Sequence, residues 1–115
     1  MTARLYYVEI PVREMTAAKR FYEDAFGWSL TEFPPTYAAT TTGDTDIGLQ
    51  ADSAEATGAS LPVIHVDDLE AALEAVTRAG GKIVRPNFAF PGGRRFHFLD
   101  PSGNEVAAVK EHAHG

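Results

Sequence analysis

Glu9, His65 and His97 are the residues of this chain whose types best suit chemistry. A carboxylate and two imidazoles can move protons near neutral pH, and the same groups ligate divalent metals. Glu9 stands in the apolar run YYVEIPV, where a buried carboxylate is costly unless it is paired. It reads as a general base or ligand anchor, or else as one half of an ion pair with Arg95. His97 and Arg95 alternate with Phe96 and Phe98 in RRFHFLD. Arg95 there suits a ligand carboxylate or phosphate, held by two parallel hydrogen bonds, against the competing reading of a solvated hairpin charge. The candidate catalytic residues are Glu9 and His97. The candidate ligand-binding residues are Tyr7, Gln50, His65, Arg95 and Tyr37. The set Glu9, His65 and His97 is also the one weak alternative for a divalent metal, set against the reading of all three as polar pocket-wall residues.

Much other chemistry is excluded. The chain has no cysteine, which removes disulfides, thiolate zinc sites and thiol nucleophiles. It has no G-x-S-x-G motif, and Ser102 sits in the turn-forming run DPSGN. Gly92-Gly93-Arg94-Arg95 lacks the strand–turn–helix setting of a phosphate loop. Ten Lys and Arg against sixteen Asp and Glu give a net charge of −6, which disfavours nucleic acid and anionic membrane as partners. No apolar run reaches membrane-spanning length, and the segment MTARLYYVEIPV does not read as a secretion signal. The composition fits a reducing cytoplasm, which is the expected location.

The elements that must position these residues come twice. At 115 residues the chain is one domain's worth. Residues 7–30 laid on 61–84 match at Ile10/Ile64, Val12/Val66, Ala17/Ala71, Ala18/Ala72, Ala25/Ala79 and Gly27/Gly81. Chance alone gives roughly one or two such matches. In each copy a short alternating strand precedes a segment with apolar residues at helical spacing. The first helix spans REMTAAKRFYEDAF and stops at Gly27. The second opens at Asp67, with Glu70 three residues on, and stops at Gly80 and Gly81. Three short β-like runs follow each helix, divided by Pro, Gly, Asp and Asn turns. The expected fold is α+β, with two βαβββ modules at 4–51 and 61–111. Residues 52–60 are the linker, and the tail HAHG frays.

Two stretches carry a family resemblance. They are VEIPVREMTAAKRFYEDAFGW in the first module and FHFLDPSGNEVAAV in the other. Together they resemble the vicinal oxygen chelate superfamily. That group holds glyoxalase I, extradiol dioxygenases, fosfomycin-resistance thiol transferases and bleomycin-binding proteins. The resemblance covers about residues 4–111. It implies a half-open curved sheet forming a cup, with the helices outside, and a homodimer. It also implies four His, Glu or Gln metal ligands. Carried over, these fall on Tyr7, Leu61, Ala107 and a fourth position near Gly48 or Gln50. Tyr, Leu and Ala do not replace imidazole or carboxylate on a divalent ion. The usual metal set is therefore expected to be missing, and no cofactor is expected.

Strand parity assigns the faces. Val8, Ile10 and Val12 meet the first helix, leaving Tyr7 and Glu9 inward. Ile64 and Val66 meet the second helix, leaving Leu61, Val63 and His65 inward. Phe96 and Phe98 join the core, leaving Arg95 and His97 inward. The sequence reading is a protein that binds a small molecule in the cup, as a binder or a non-metal enzyme. Two alternatives stand beside it. One is a metal-dependent lyase, dioxygenase or thiol transferase with a shifted Glu/His set. The other is a resistance protein that sequesters a drug without turnover.

Overall fold

Alternation of apolar and polar residues makes YYVEIPV a strand, and the structure extends it upstream to β1 (Ala3–Pro11). The structure is a computed structural model that describes residues 1–112. His114 and the rest of the tail beyond His112 lie outside the described residues. The first module continues with α1 (Met15–Phe26), β2 (Thr31–Phe33), β3 (Tyr37–Ala39) and β4 (Asp46–Gln50). The second holds β5 (Leu61–Val66), α2 (Leu69–Arg78), β6 (Lys82–Phe90), β7 (Gly93–Leu99) and β8 (Glu105–Glu111). The α+β class and the repeated βαβββ order agree with the sequence reading. No helix among the described residues is long and apolar enough to cross a membrane.

Local chemistry sets the helix ends. The Glu14 carboxylate accepts the amides of Thr16 and Ala17, which otherwise have no partner in the first turn of α1. Gly27 closes α1 at φ 71, a left-handed conformation that glycine adopts without a Cβ clash. The start of α2 differs by one residue from the sequence expectation. Asp68, not Asp67, is the cap, and its carboxylate accepts the Ala71 amide at 3.0 Å. Asp67 accepts the Thr2 amide instead, at 2.9 Å.

That contact reflects a division of the chain into two compact units. One is Tyr6–Leu61; the other joins Met1–Leu5 to the chain from Pro62 onward. The first residues of β1 thus leave the module that the repeat gives them. The expected linker is a folded turn within the first unit, where the Glu55 and Ala56 amides both bond the Asp52 carbonyl.

In the first unit the strands run in the order β2-β3-β4-β1, with β1 parallel to β4. Leu30, Ala38 and Leu49 are buried on the α1 side, packed by Ile10, Val12, Met15, Ala18 and Tyr22. In the second unit the order is β5-β8-β7-β6, with β5 parallel to β8. Val66, Leu69, Ala72, Phe96 and Ala108 form its core against α2. Phe96 is fully buried there. Both cores use the strand face that parity predicts, so the candidate residues lie on the opposite face.

Strand β6 is the exception to simple parity. Its register against β7 shifts twice, between Ile83 and Arg85 and between Arg85 and Phe88. Ile83 pairs with Phe98 in the core, whereas Arg85 pairs with His97 and Phe88 with Arg95 on the other face. Two bulges in an outer strand that also carries Pro86 bring a cation and an aromatic ring to the His97 side. Phe88 and Phe90 are both residues of this strand.

Candidate functional site

The first polar cluster grows from β1, β3 and β4. Tyr7 and Glu9 share the β1 face turned from the helix. Glu9 stands opposite Gly48 of β4, and Gly48 stands opposite Ala39 of β3. The Tyr37 hydroxyl donates to Glu9 Oε2 at 3.2 Å and lies 2.5 Å from the Tyr7 hydroxyl. A phenol has one proton. With the Tyr37 proton given to Glu9, Tyr7 donates to Tyr37, and the chain is polarised toward the carboxylate. Glu9 is 5% exposed. Burial, then the neighbouring Tyr7 and Glu9, push the Tyr37 phenol far above its ordinary range. Tyr37 therefore works as a neutral donor and not as a base.

Gly48 makes this chain of hydroxyls sterically possible. A Cβ at that position would collide with both phenol oxygens. Gln50 lies on the same strand face, paired with Tyr37, but its side-chain carbonyl accepts the Asp52 amide at 3.0 Å. It holds the turn at the end of β4.

The second cluster belongs to β5–β8. His97 is 1% exposed, and its Nδ1 lies 2.7 Å from Glu105 Oε2. Burial pushes the imidazole below its ordinary value, and Arg95 and Arg85 push the same way, while the Glu105 hydrogen bond opposes. A neutral ring donates Nδ1–H to the Glu105 carboxylate and leaves a lone pair on Nε2. That Nε2 is buried and has no hydrogen-bond partner among the described residues. The dyad holds one tautomer, so Nε2 is able to accept a proton.

Aromatic rings and guanidinium groups surround it. The Phe88 ring lies 5.8 Å from His97. Arg85 sits 4.0 Å over the same ring, and Arg95 lies 5.2 Å from Phe88 and 5.1 Å from Phe90. His65 is on the same face, half-buried, opposite Val109, which is opposite Arg95.

The structure thus joins Tyr7, Tyr37 and Glu9 in one unit, and His97 with Arg95 in the other. Glu105 and Arg85 are the residues that sequence reasoning missed. Glu105 had a readable signal. The turn at Asp100–Asn104 pairs Leu99 with Glu105, which sets Glu105 diagonally beside His97. Arg85 had none, because the bulge between Ile83 and Arg85 decides its face.

The residues present do not suit the metal set that the resemblance implies. Pairing of Glu9 with Gly48 and of Val63 with Ala107 makes Gly48 the counterpart of Ala107 across the repeat. The four positions are then Tyr7, Gly48, Leu61 and Ala107. Leu61 and Ala107 are buried and apolar, Gly48 has no side chain, and the Tyr7 hydroxyl is engaged by Tyr37. Among the described residues no three His, Cys, Asp or Glu side chains form a group that could hold a metal ion, Glu9, His65 and His97 included.

A family model described as Glyoxalase/Bleomycin resistance protein/Dioxygenase superfamily matches residues 4–108. The chain is similar to the Mycobacterium bovis protein named "Putative glyoxylase CFP32", with 26% identity over 119 residues, 94% of this chain and 46% of that protein. It spans about half the length of that relative. It is also similar to a "Glyoxylase-like domain-containing protein" of Didymella fabae, 36% identical over 86 residues, 65% of this chain and 66% of that one. Among solved structures, methylmalonyl-CoA epimerase from Mycobacterium tuberculosis aligns with a TM-score of 0.73 at 17% identity, covering 95% of this chain and 88% of that chain. The Mn(II)-bound glyoxalase from Novosphingobium aromaticivorans aligns with a TM-score of 0.71 at 21% identity, covering 99% of this chain and 42% of that chain. At these identities the likeness to solved structures shows a common fold.

Proposed function

The chain belongs to the Glyoxalase/Bleomycin resistance protein/Dioxygenase superfamily, and from that premise we propose that it binds a small molecule without the divalent metal of the metal-using members. The observation that carries this reading is Gly48. Where a metal-using relative would place a ligand, this chain has no side chain, and the Tyr7 and Tyr37 hydroxyls fill the space beside it. A hydrogen bond from the Tyr37 phenol, itself bonded to Tyr7, holds Glu9 beside that empty position.

In this reading the ligand meets the strand faces turned from the helices. In the first unit Tyr7 and Tyr37 orient Glu9, and Gln50 supplies a further polar contact; in the second, His65 and Arg95 lie on the His97 face. Each unit then offers one group suited to accept a proton, Glu9 in the first and the His97 Nε2 in the second. The Tyr37 phenol gives the buried Glu9 carboxylate a hydrogen bond, and Glu105 fixes the tautomer of His97. The proposed assembly is a homodimer in the cytoplasm, consistent with a chain that carries no cysteine.

The test is elemental analysis of untagged protein, combined with thermal shift against a panel of aromatic and carboxylate compounds. The expected result is no stoichiometric divalent ion, together with at least one compound that raises the melting temperature, since a ligand of the folded state must stabilise it. A stoichiometric ion that is lost in Glu9→Ala would overturn the reading and restore the shifted Glu/His metal set.

A further inference from the structure

A cleft in the first unit lies on the helix side of the strands and takes no part in either polar cluster. Its cavity volume is about 400 Å³, and Trp28, Ser29, Thr41, Thr42, Thr45 and Ile47 line it. One wall is aromatic. The Trp28 ring stacks on Tyr22 at 5.7 Å and on Phe26 at 5.2 Å, yet stays 40% exposed. The other side is lined mainly by threonines.

The two charged features beside this cleft, a helix terminus and a carboxylate, are both negative. Gly27 and Trp28 follow the C-terminus of α1, the negative end of its dipole, and the last turn of that helix has no basic side chain. Thr40 and Thr42 also border the cleft, and both donate their hydroxyl protons to Asp46 Oδ1, at 2.7 and 2.8 Å. Each of these hydroxyl oxygens also accepts a backbone amide, Thr40 from Ile47 and Thr42 from Asp44, so the charge behind this side of the cleft is the Asp46 carboxylate. Asp46 is fixed by further amide donors from Thr42 and Gly43. None of the lining residues is charged. The Lys19 side chain of α1 is held by Glu23 and Glu32.

An aromatic face beside a negative helix end and a carboxylate is the setting that attracts a cation with apolar substituents. We propose that this cleft binds a compact alkylammonium ion, seated on the Trp28 ring with the threonine oxygens and Asp46 behind it. A strongly hydrated inorganic cation would gain little from the ring. An anion would face the helix terminus and Asp46 together. The site is separate from the proposed small-molecule site and does not depend on it.

Trp28 is the chain's single tryptophan, so its fluorescence reports on the cleft directly. The experiment titrates the protein with choline chloride and, in parallel, with the neutral isostere 3,3-dimethylbutan-1-ol. The expected result is a saturable emission change with choline, roughly tenfold weaker binding of the alcohol, and weakening by added sodium chloride. Thr45→Lys, at an exposed position, should abolish the choline response with an unchanged melting temperature; Thr41→Lys serves if that variant does not fold. Equal binding of the two probes, absence of saturation, or a choline response that survives the lysine overturns the proposal. So does an emission that follows protein concentration and not choline, which would assign the Trp28 wall to a second copy of the chain.

Discussion

Gly48→Ala is the substitution that most directly tests the hydroxyl chain. The backbone of Gly48 is not in the left-handed region, so alanine brings no main-chain strain. Replacing a strand glycine would by itself add about 0.5–1 kcal/mol of stability. The collision of the new Cβ with Tyr7 and Tyr37 works against that gain. Separating the hydroxyls removes a neutral hydrogen bond worth about 1 kcal/mol and a charge-assisted one to Glu9 worth about 1.5–3 kcal/mol. The net expectation is a loss of about 2–3 kcal/mol. Urea denaturation at pH 7 should show a lower midpoint with an unchanged slope, because the folded surface is the same. Tyr7→Phe in the same chain removes one of the two collisions, so the double variant should lose less than the two single losses added together. A Gly48→Ala protein as stable as the parent, or more stable, would refute the steric argument. Simple additivity with Tyr7→Phe would refute the contact.

Two further outcomes are expected. His97 has its pKa lowered in the fold, chiefly by burial, so the folded chain takes up that proton later than the unfolded chain. Stability present above about pH 6.5 should fall as the pH drops through that value, and His97→Gln should flatten the slope between pH 7 and 5, measured by urea midpoints across that range. Phe96→Ala empties the centre of the second core and should lower stability by about 3–5 kcal/mol in the same assay, with a gain in stability on adding a small apolar ligand such as benzene.

Strand parity carried much of the reading. In β1 and β7 the apolar residues are spaced by two without interruption, so the faces of Glu9, His97 and Arg95 followed from the sequence. The order of elements was legible for the same reason, since the helix stop at Gly27 and the turn at Asp100–Asn104 rest on local chemistry. Contacts between distant residues were not legible. Tyr7 and Tyr37 meet only because β3 pairs with β4 and β4 with β1, a register that no single strand encodes. That register also settles the fourth carried-over position as Gly48 and not Gln50. The β6 bulges hid Arg85 and Phe88, because each extra residue turns the following side chain to the other face. The cap of α2 moved from Asp67 to Asp68 because both are carboxylates and only the position of Thr2 separates them.

The outer strands of the two units have a bearing on self-association. A free strand edge is a template onto which another chain can add. At the outer end of the first unit, β2 is only three residues long. At the outer end of the second, β6 is nine residues long but twice bulged, and Pro86 offers no amide hydrogen. The bulges that bring Arg85 and Phe88 beside His97 also break the regular hydrogen-bond ladder that an incoming strand would need. Straightening β6 by deleting Val84 would leave Arg85 opposite His97 and, in the same step, expose a longer regular edge to aggregation.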